Sequence, residues 1–166
     1  MAAPVILCGK SPQIAIGVRK GLEPEYDGLS HLISPLLLLH SPLTALLVVH
    51  IVLTPSMGVS DIPALLQGQT PLASSEENIG SQNYSKLPIA VITGGGYDDA
   101  AFKEMYDAAK GKGKEVPWLR PDLTLETPPL GPEYGKHMVG RVKTCLEKLE
   151  SEGILGVEGA ARVIMY

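Results

Sequence analysis

Residues 5–17, VILCG-KSP-QIAIG, limit the fold more than any other stretch, because an uninterrupted apolar run ends on a glycine and leads at once into a helix start. A strand that is apolar at every position must be covered on both faces, which in water means a sheet between two layers of helices. After Gly9, Ser11 is an N-cap residue type and Pro12 takes the first helical position, where its missing N–H costs nothing. Ile14, Val18 and Leu22 repeat at helical spacing, and Glu23, Pro24 and Glu25 close the helix.

The same grammar recurs along the chain. Residues 49–54 read as a second strand stopped by Pro55, and residues 87–93 as a third that runs into Gly94, Gly95 and Gly96. From Asp98, a helix places Phe102, Met105, Tyr106 and Ala109 on one face, and Gly111 and Gly113 end it among lysines. Residues 116–119 give a fourth strand. The last helix starts at Pro132 and aligns Tyr134, Met138, Val142, Cys145 and Leu149. Residues 162–166 suit a short final strand, and 61–67 a short helix. Residues 68–86 are polar and read either as a loop over a pocket or as a disordered connection.

Buried strands alternating with amphipathic helices predict an α/β fold: a small Rossmann-like three-layer domain, with a mainly parallel sheet of about four strands. A chain of 166 residues, 45% hydrophobic, suffices for one domain spanning 1–166. Fourteen basic and eighteen acidic residues give a net charge of -4, and no basic cluster tracks a phosphate backbone, which argues against a nucleic-acid partner. Both cysteines, Cys8 and Cys145, lie within apolar patterns, as in a reducing, cytoplasmic compartment. The N-terminal residues have no positive region of the secretory kind.

Residues 28–48 do not fit this scheme, being uncharged and dominated by Leu, Ser, Pro and His where a connection of about 2–6 residues is normal. Three readings compete. Residues 32–53 have the length of a membrane helix, but Pro35, Pro42, His40 and His50 interrupt them and no Lys or Arg flanks them. A genuine insertion would be an apolar flap covered by a partner or a second subunit, making a homodimer. Alternatively, the pyrimidine-rich codons that write this composition are those expected before a splice acceptor, so the segment reads as a retained intron.

The site candidates centre on two loops. Gly9, Lys10 and Ser11 are not a Walker loop, because Pro4 stands where that motif needs glycine, and the dinucleotide fingerprint is not met, since Ser11 and Ile14 follow the turn glycine Gly9 and only Gly17 remains as a packing glycine. What the first helix start does offer is backbone N–H groups, a helix dipole and Lys10, all favouring an anion. With strand order 2-1-3-4, the loops after strands one and three flank the switch point, so Gly9, Lys10 and Ser11 should share a crevice with Gly94, Gly95 and Gly96. Asp98 and Asp99 would repel phosphate from the second helix. The acidic residue that usually holds an adenosine ribose is replaced by Thr54, Pro55 and Ser56. Arg120, framed by Trp118 and Pro121, is placed on the same edge, either against an anionic ligand or in a surface pair with Asp122.

Tyr106 and Lys110 have the Y-x-x-x-K spacing of short-chain dehydrogenases, with Thr93 as an upstream hydroxyl, yet Tyr106 shares a core-facing stripe and reads as a core residue. His31, His40 and His50 lie in the anomalous region and His137 is alone on a helix, so no metal pattern emerges and no catalytic set is assigned. Taken together, VILCGKSPQIAIGVRKGLEPEY, VITGGGYDDAAFKEMYDAA, VPWLRPD and GPEYGKHMVGR resemble a group of small Rossmann-like proteins of filamentous fungi, similar to NAD(P)-binding domains. That resemblance implies the fold and a nucleotide ligand. The expected function is nucleotide or dinucleotide binding, with NAD or NADP as cofactor and oxidoreductase activity; the alternative is a non-catalytic module that dimerises through helix faces or the apolar insertion.

Overall fold

The computed structural model of the chain describes residues 2–23, 45–71 and 78–166. Its central strand, β1 (Ala3–Cys8), lies between β2 (Leu46–Val52) and β3 (Ala90–Thr93), and β4 (Trp118–Arg120) and β5 (Val163–Met165) extend the sheet on the β3 side. The order is β2-β1-β3-β4-β5 and every pairing is parallel. Helices α1 (Pro12–Leu22) and α4 (Pro132–Ser151) pack together on one face, and α2 (Pro55–Leu66) and α3 (Asp99–Ala109) on the other. This is the expected three-layer, Rossmann-like α/β architecture, with a fifth strand where residues 162–166 were read as a short one.

Strand alternation distributes the core between the layers. Val5 and Leu7 of β1 join the cluster under α1 and α4, while Ile6 and Cys8 join the one under α2 and α3. Ala90 and Ile92 of β3 face the first cluster and Val91 the second. That is why these strands read as continuous apolar runs: both faces are dry.

Three boundaries differ from the sequence reading by three residues or more. β2 begins at Leu46, so residues 46–48 are strand, paired with Ala3, Pro4 and Val5, and belong to the sheet rather than to a segment inserted before it. The other part of the anomalous segment within the chain, residues 28–44, lies outside the described residues, and the stretch read as a candidate span ends in this strand. No helix among the described residues is long and apolar enough to cross a membrane. Second, α2 starts at Pro55 rather than residue 61. The proline that stops β2 also occupies the first position of a helix that Thr54 caps, its Oγ1 accepting from Met57 N–H at 3.2 Å. Gly58 and Pro63 both weaken the helical pattern of α2 in sequence. Gly58 is there because a Cβ would lie 2.3 Å from the Met105 sulfur of α3, so the glycine lets α2 and α3 meet. Third, β3 begins at Ala90, three residues later than read.

The polar loop before β3 is anchored at its described end. Asn78 is buried beside β2; its Oδ1 accepts from Ile51 N–H at 3.0 Å and its Nδ2 donates to the Ile51 carbonyl at 2.8 Å. Ser81 and Gln82 N–H groups donate to the Val48 and Val49 carbonyls. The loop thus covers the outer edge of β2, which would otherwise present open hydrogen-bonding groups.

Candidate functional site

Parallel strands all end on the same side of the sheet, and the connections from β1 and β3 leave toward opposite faces, α1 on one and α3 on the other. A crevice results between their ends. Gly9, Lys10 and Ser11 line it from the β1–α1 loop, and Gly94, Gly95 and Gly96 from the β3–α3 loop. These six residues, expected together from strand order alone, surround one cavity of about 270 Å³.

The glycines set how closely the two loops approach. The Gly94 N–H donates to the Cys8 carbonyl at 2.7 Å, and a Cβ on Gly94 would lie 3.2 Å from that same oxygen. A Cβ on Gly95 would lie 3.1 Å from Leu123 and 3.4 Å from the Tyr134 hydroxyl, and one on Gly96 would meet the Lys10 side chain at 3.4 Å. The triple glycine therefore serves close contact between loops, rather than a left-handed turn. Asp98 caps α3 by accepting from Ala101 N–H at 2.8 Å.

Below the loops the cavity is apolar. Leu7 and Ile92 come from the sheet, Ile14, Ala15 and Val18 from α1, and Met138 and Val142 from α4, with Leu130 and Tyr134 near the mouth. Sequence reading placed Tyr134, Met138 and Val142 on the buried stripe of the last helix but had no signal to separate lining from packed core. Tyr166 also reaches the cavity, and its hydroxyl donates to the Thr93 carbonyl at 2.8 Å. Burial pushes that hydroxyl well above its ordinary range, so it remains a donor at neutral pH. Burial does the same to the Cys8 thiol, whose side chain packs in the α2/α3 core, and this favours the neutral thiol over the thiolate.

At the mouth the polar groups are sparsely committed. Ser11 is the N-cap of α1, yet its side chain makes no capping hydrogen bond. Lys10 Nζ stands 5.4 Å from the centre of the Tyr97 ring, and Tyr97 donates its hydroxyl to the Val52 carbonyl at 3.0 Å. Among the described residues of the lining, Lys10 is the one charged side chain, and no carboxylate or imidazole joins it. The arrangement is equipped to bind an apolar body and an anionic or hydrogen-bonding group. It holds no paired acid and base.

Other candidates fall elsewhere. Arg120 lies outside the lining of this crevice: its Nη2 pairs with Asp99 Oδ1 at 2.5 Å, and its guanidinium sits 4.8 Å from the centre of the Phe102 ring, toward α3. Its partner is thus Asp99, not Asp122. Trp118 is buried edge-on against Phe102 and Tyr106, closing the core. Tyr106 is stacked on Phe102 at 5.9 Å, and the Thr93 hydroxyl donates to the Leu119 carbonyl at 2.9 Å, so the Y-x-x-x-K spacing assembles no site. No group of three His, Cys, Asp or Glu side chains able to hold a metal occurs among the described residues. A larger groove of about 780 Å³ between α4 and β5, rimmed by Lys136, Arg141, Lys148 and Glu152, is more open and away from both glycine loops. Ligand sites bury most of their ligand, which favours the smaller crevice.

One polar cluster escaped the sequence reading. His50 is wholly buried, with Nδ1 2.9 Å from the Tyr84 hydroxyl and Nε2 3.1 Å from Asp61 Oδ2. Because a carboxylate only accepts, Nε2 carries the proton and Nδ1 accepts from Tyr84. Asn78 Nδ2 lies 3.2 Å from Nε2, and the Ser60 hydroxyl donates to Asp61 Oδ1 at 2.7 Å. Burial lowers the pKa of His50 below the ordinary imidazole value, against the opposing hydrogen bond and charge of Asp61. Tyr84 and Asn78 come from the loop, so the cluster fastens that loop to β2 and α2.

Fold and crevice define a small three-layer α/β protein of Rossmann-like architecture. The chain belongs to the family of kojic acid related protein 6 of Aspergillus oryzae (strain ATCC 42149 / RIB 40), to which it is 36% identical over 153 residues, covering 90% of this chain and 79% of that protein. No family model matches the chain, and no solved structure matches it.

Proposed function

We propose that the chain is a small-ligand-binding protein of the nucleotide or dinucleotide class, with NAD or NADP the first ligands to test. The observation that carries this reading is the meeting of Gly9, Lys10, Ser11, Gly94, Gly95 and Gly96 around one crevice at the switch point of a parallel sheet. The phosphate side of such a ligand suits the mouth. Backbone N–H groups at the start of α1 and the Lys10 ammonium favour negative charge, and the Ser11 hydroxyl is not spent on capping.

The ribose side suits less well. Thr54, at the end of β2, uses its hydroxyl to cap α2, and no acidic side chain stands there to take the ribose hydroxyls. Nicotinamide, when bound, supplies hydride chemistry. For oxidoreductase activity, proton handling would then fall to Lys10, Ser11 or Tyr134, the mouth residues able to exchange one. The Aspergillus relative is named for kojic acid, and this association earns that compound a place among the ligands to test.

Thermal unfolding in the presence of NAD, NADP, FAD, ATP and kojic acid at millimolar concentration tests the reading. A rise in midpoint with a nucleotide is expected, together with its loss in Lys10→Glu. A midpoint unmoved by every nucleotide overturns the nucleotide reading.

A further inference from the structure

The crevice continues below its mouth as an apolar slot between α1, α4 and the sheet. The two helices come close at Gly21 of α1, where a Cβ would lie 2.8 Å from Val139 of α4, and nearer the glycine loops the cavity lies between them. Leu7 and Ile92 form one wall, Ala15 and Val18 the second, Met138 and Val142 the third. None of these offers more than the weak acceptor of the Met138 sulfur, so whatever enters must present an uncharged, weakly hydrated surface.

The volume narrows the class. About 270 Å³ lies just under the usual range for ligand pockets, roughly 300–1,000 Å³, and accommodates one ring system rather than the length of a dinucleotide. Polar groups are confined to the mouth, where Lys10, the Ser11 hydroxyl and the Tyr134 hydroxyl, which makes no hydrogen bond among the described residues, surround the opening.

We infer that the slot takes a single uncharged ring, inserted between α1 and α4, whose anionic substituent remains at the mouth against Lys10 and the start of α1. This rests on the reading of the crevice as the ligand site, and it says which part of the ligand is buried. A mononucleotide would put its base inside. A monocyclic aromatic acid or phosphate ester would be held in the same way. A dinucleotide would enter with one ring and leave the rest outside.

Methyl and amide NMR spectra of the full chain, titrated separately with phenyl phosphate, inorganic phosphate and NADP, test this. Phenyl phosphate is expected to shift the methyls of Leu7, Val18, Ile92 and Val142 together with the amides of Lys10 and Ser11, while inorganic phosphate shifts those amides alone. Ala15→Leu, which fills the slot, should weaken phenyl phosphate at least about tenfold, the scale of one lost apolar contact surface. Its effect on inorganic phosphate should be small, which separates a blocked slot from a damaged fold. Amide shifts without methyl shifts, from phenyl phosphate and NADP alike, would overturn the buried ring and leave the nucleotide reading standing. Methyl shifts with phenyl phosphate and silence with NADP would support the buried ring and count against the dinucleotide. Silence with all three overturns both.

Discussion

The two helical layers flank the same strands, but they close differently. Over the α2/α3 face, Gly58 admits Met105, Phe102 and Tyr106 pack edge-on to Trp118, and the Lys114 N–H donates to the carbonyl at the end of α2. Over the α1/α4 face the helices touch at Gly21 and Val139 but leave a cavity toward the glycine loops. Both interfaces use glycine for close approach. On one side the void left beside Ala109 measures about 20 Å³, and on the other, spaces of about 270 and 520 Å³ remain along α1 and α4, so a protein with one sheet has a packed face and a receptive one.

The largest effect is expected where the sealed face has no slack. Gly113, between α3 and β4, has φ +79°, and a Cβ there would lie 2.4 Å from the Leu66 carbonyl oxygen at the end of α2. Gly113→Ala combines a left-handed backbone with a collision against another backbone, neither of which a rotamer change relieves. A loss of about 3 kcal/mol or more is expected in urea unfolding. A loss under about 1 kcal/mol would mean that α2 and α3 can slide apart, and the contrast between the faces would fail.

The layers were legible in the sequence, but the contrast between them was not. The apolar runs of β1 and β3 and the glycines after them marked the strands and the loops on both sides of the crevice, because a strand dry on both faces and a glycine turn are local patterns, whereas the strand order was taken from the fold class. The rest depends on neighbours far along the chain. Gly58 looks like a helix breaker until Met105 is seen to fill its place. His50 looks like an interruption in an apolar segment until Asp61, Tyr84 and Asn78 surround it. Arg120 lies at the correct end of β4 but turns to Asp99 and Phe102, a choice of face that no local spacing specifies. The slot is missed for a simpler reason: a stripe that lines a cavity has the same helical period as one that fills a core.

His50 supplies a second, smaller test, since its cluster is the buried polar exception beside α2. Its pKa is lowered in the folded chain, so the unfolded chain, titrating near about 6.5, takes up the proton first as the pH falls. The contribution is whole above that value. It is lost progressively as pH drops from about 6.5 toward the folded value, at no more than about 1.4 kcal/mol per pH unit. In His50→Gln, whose amide can still reach Asp61, unfolding free energies measured between pH 5 and pH 7.5 should decline less steeply toward acid than in the parent chain. Parallel declines would show that the imidazole takes up its proton over the same range in the folded and unfolded states, or that other groups carry the acid sensitivity; either result removes His50 as the source.

The smallest single effect, at Ala15, belongs to the pair that most directly compares the two faces, because the same side chain is added to each. Ala15 and Ala109 are both buried alanines, one on α1 and one on α3. Ala15 faces the cavity of about 270 Å³, whereas the void beside Ala109 measures about 20 Å³, too little for the added isopropyl group. Ala109→Leu should therefore cost about 1–3 kcal/mol through overpacking. Ala15→Leu should leave stability unchanged or raise it by about 0.5–1 kcal/mol, since the new atoms fill a cavity lined by apolar side chains. If the slot exists to hold a ring, the stabilised Ala15→Leu chain is also the one that loses its ligand. Stability and affinity would then move in opposite directions at one residue, whereas a site that is merely loosely packed would gain stability with nothing to lose. Equal penalties at the two alanines would show that α1 and α4 pack as tightly as α2 and α3, and the receptive face would disappear from the comparison.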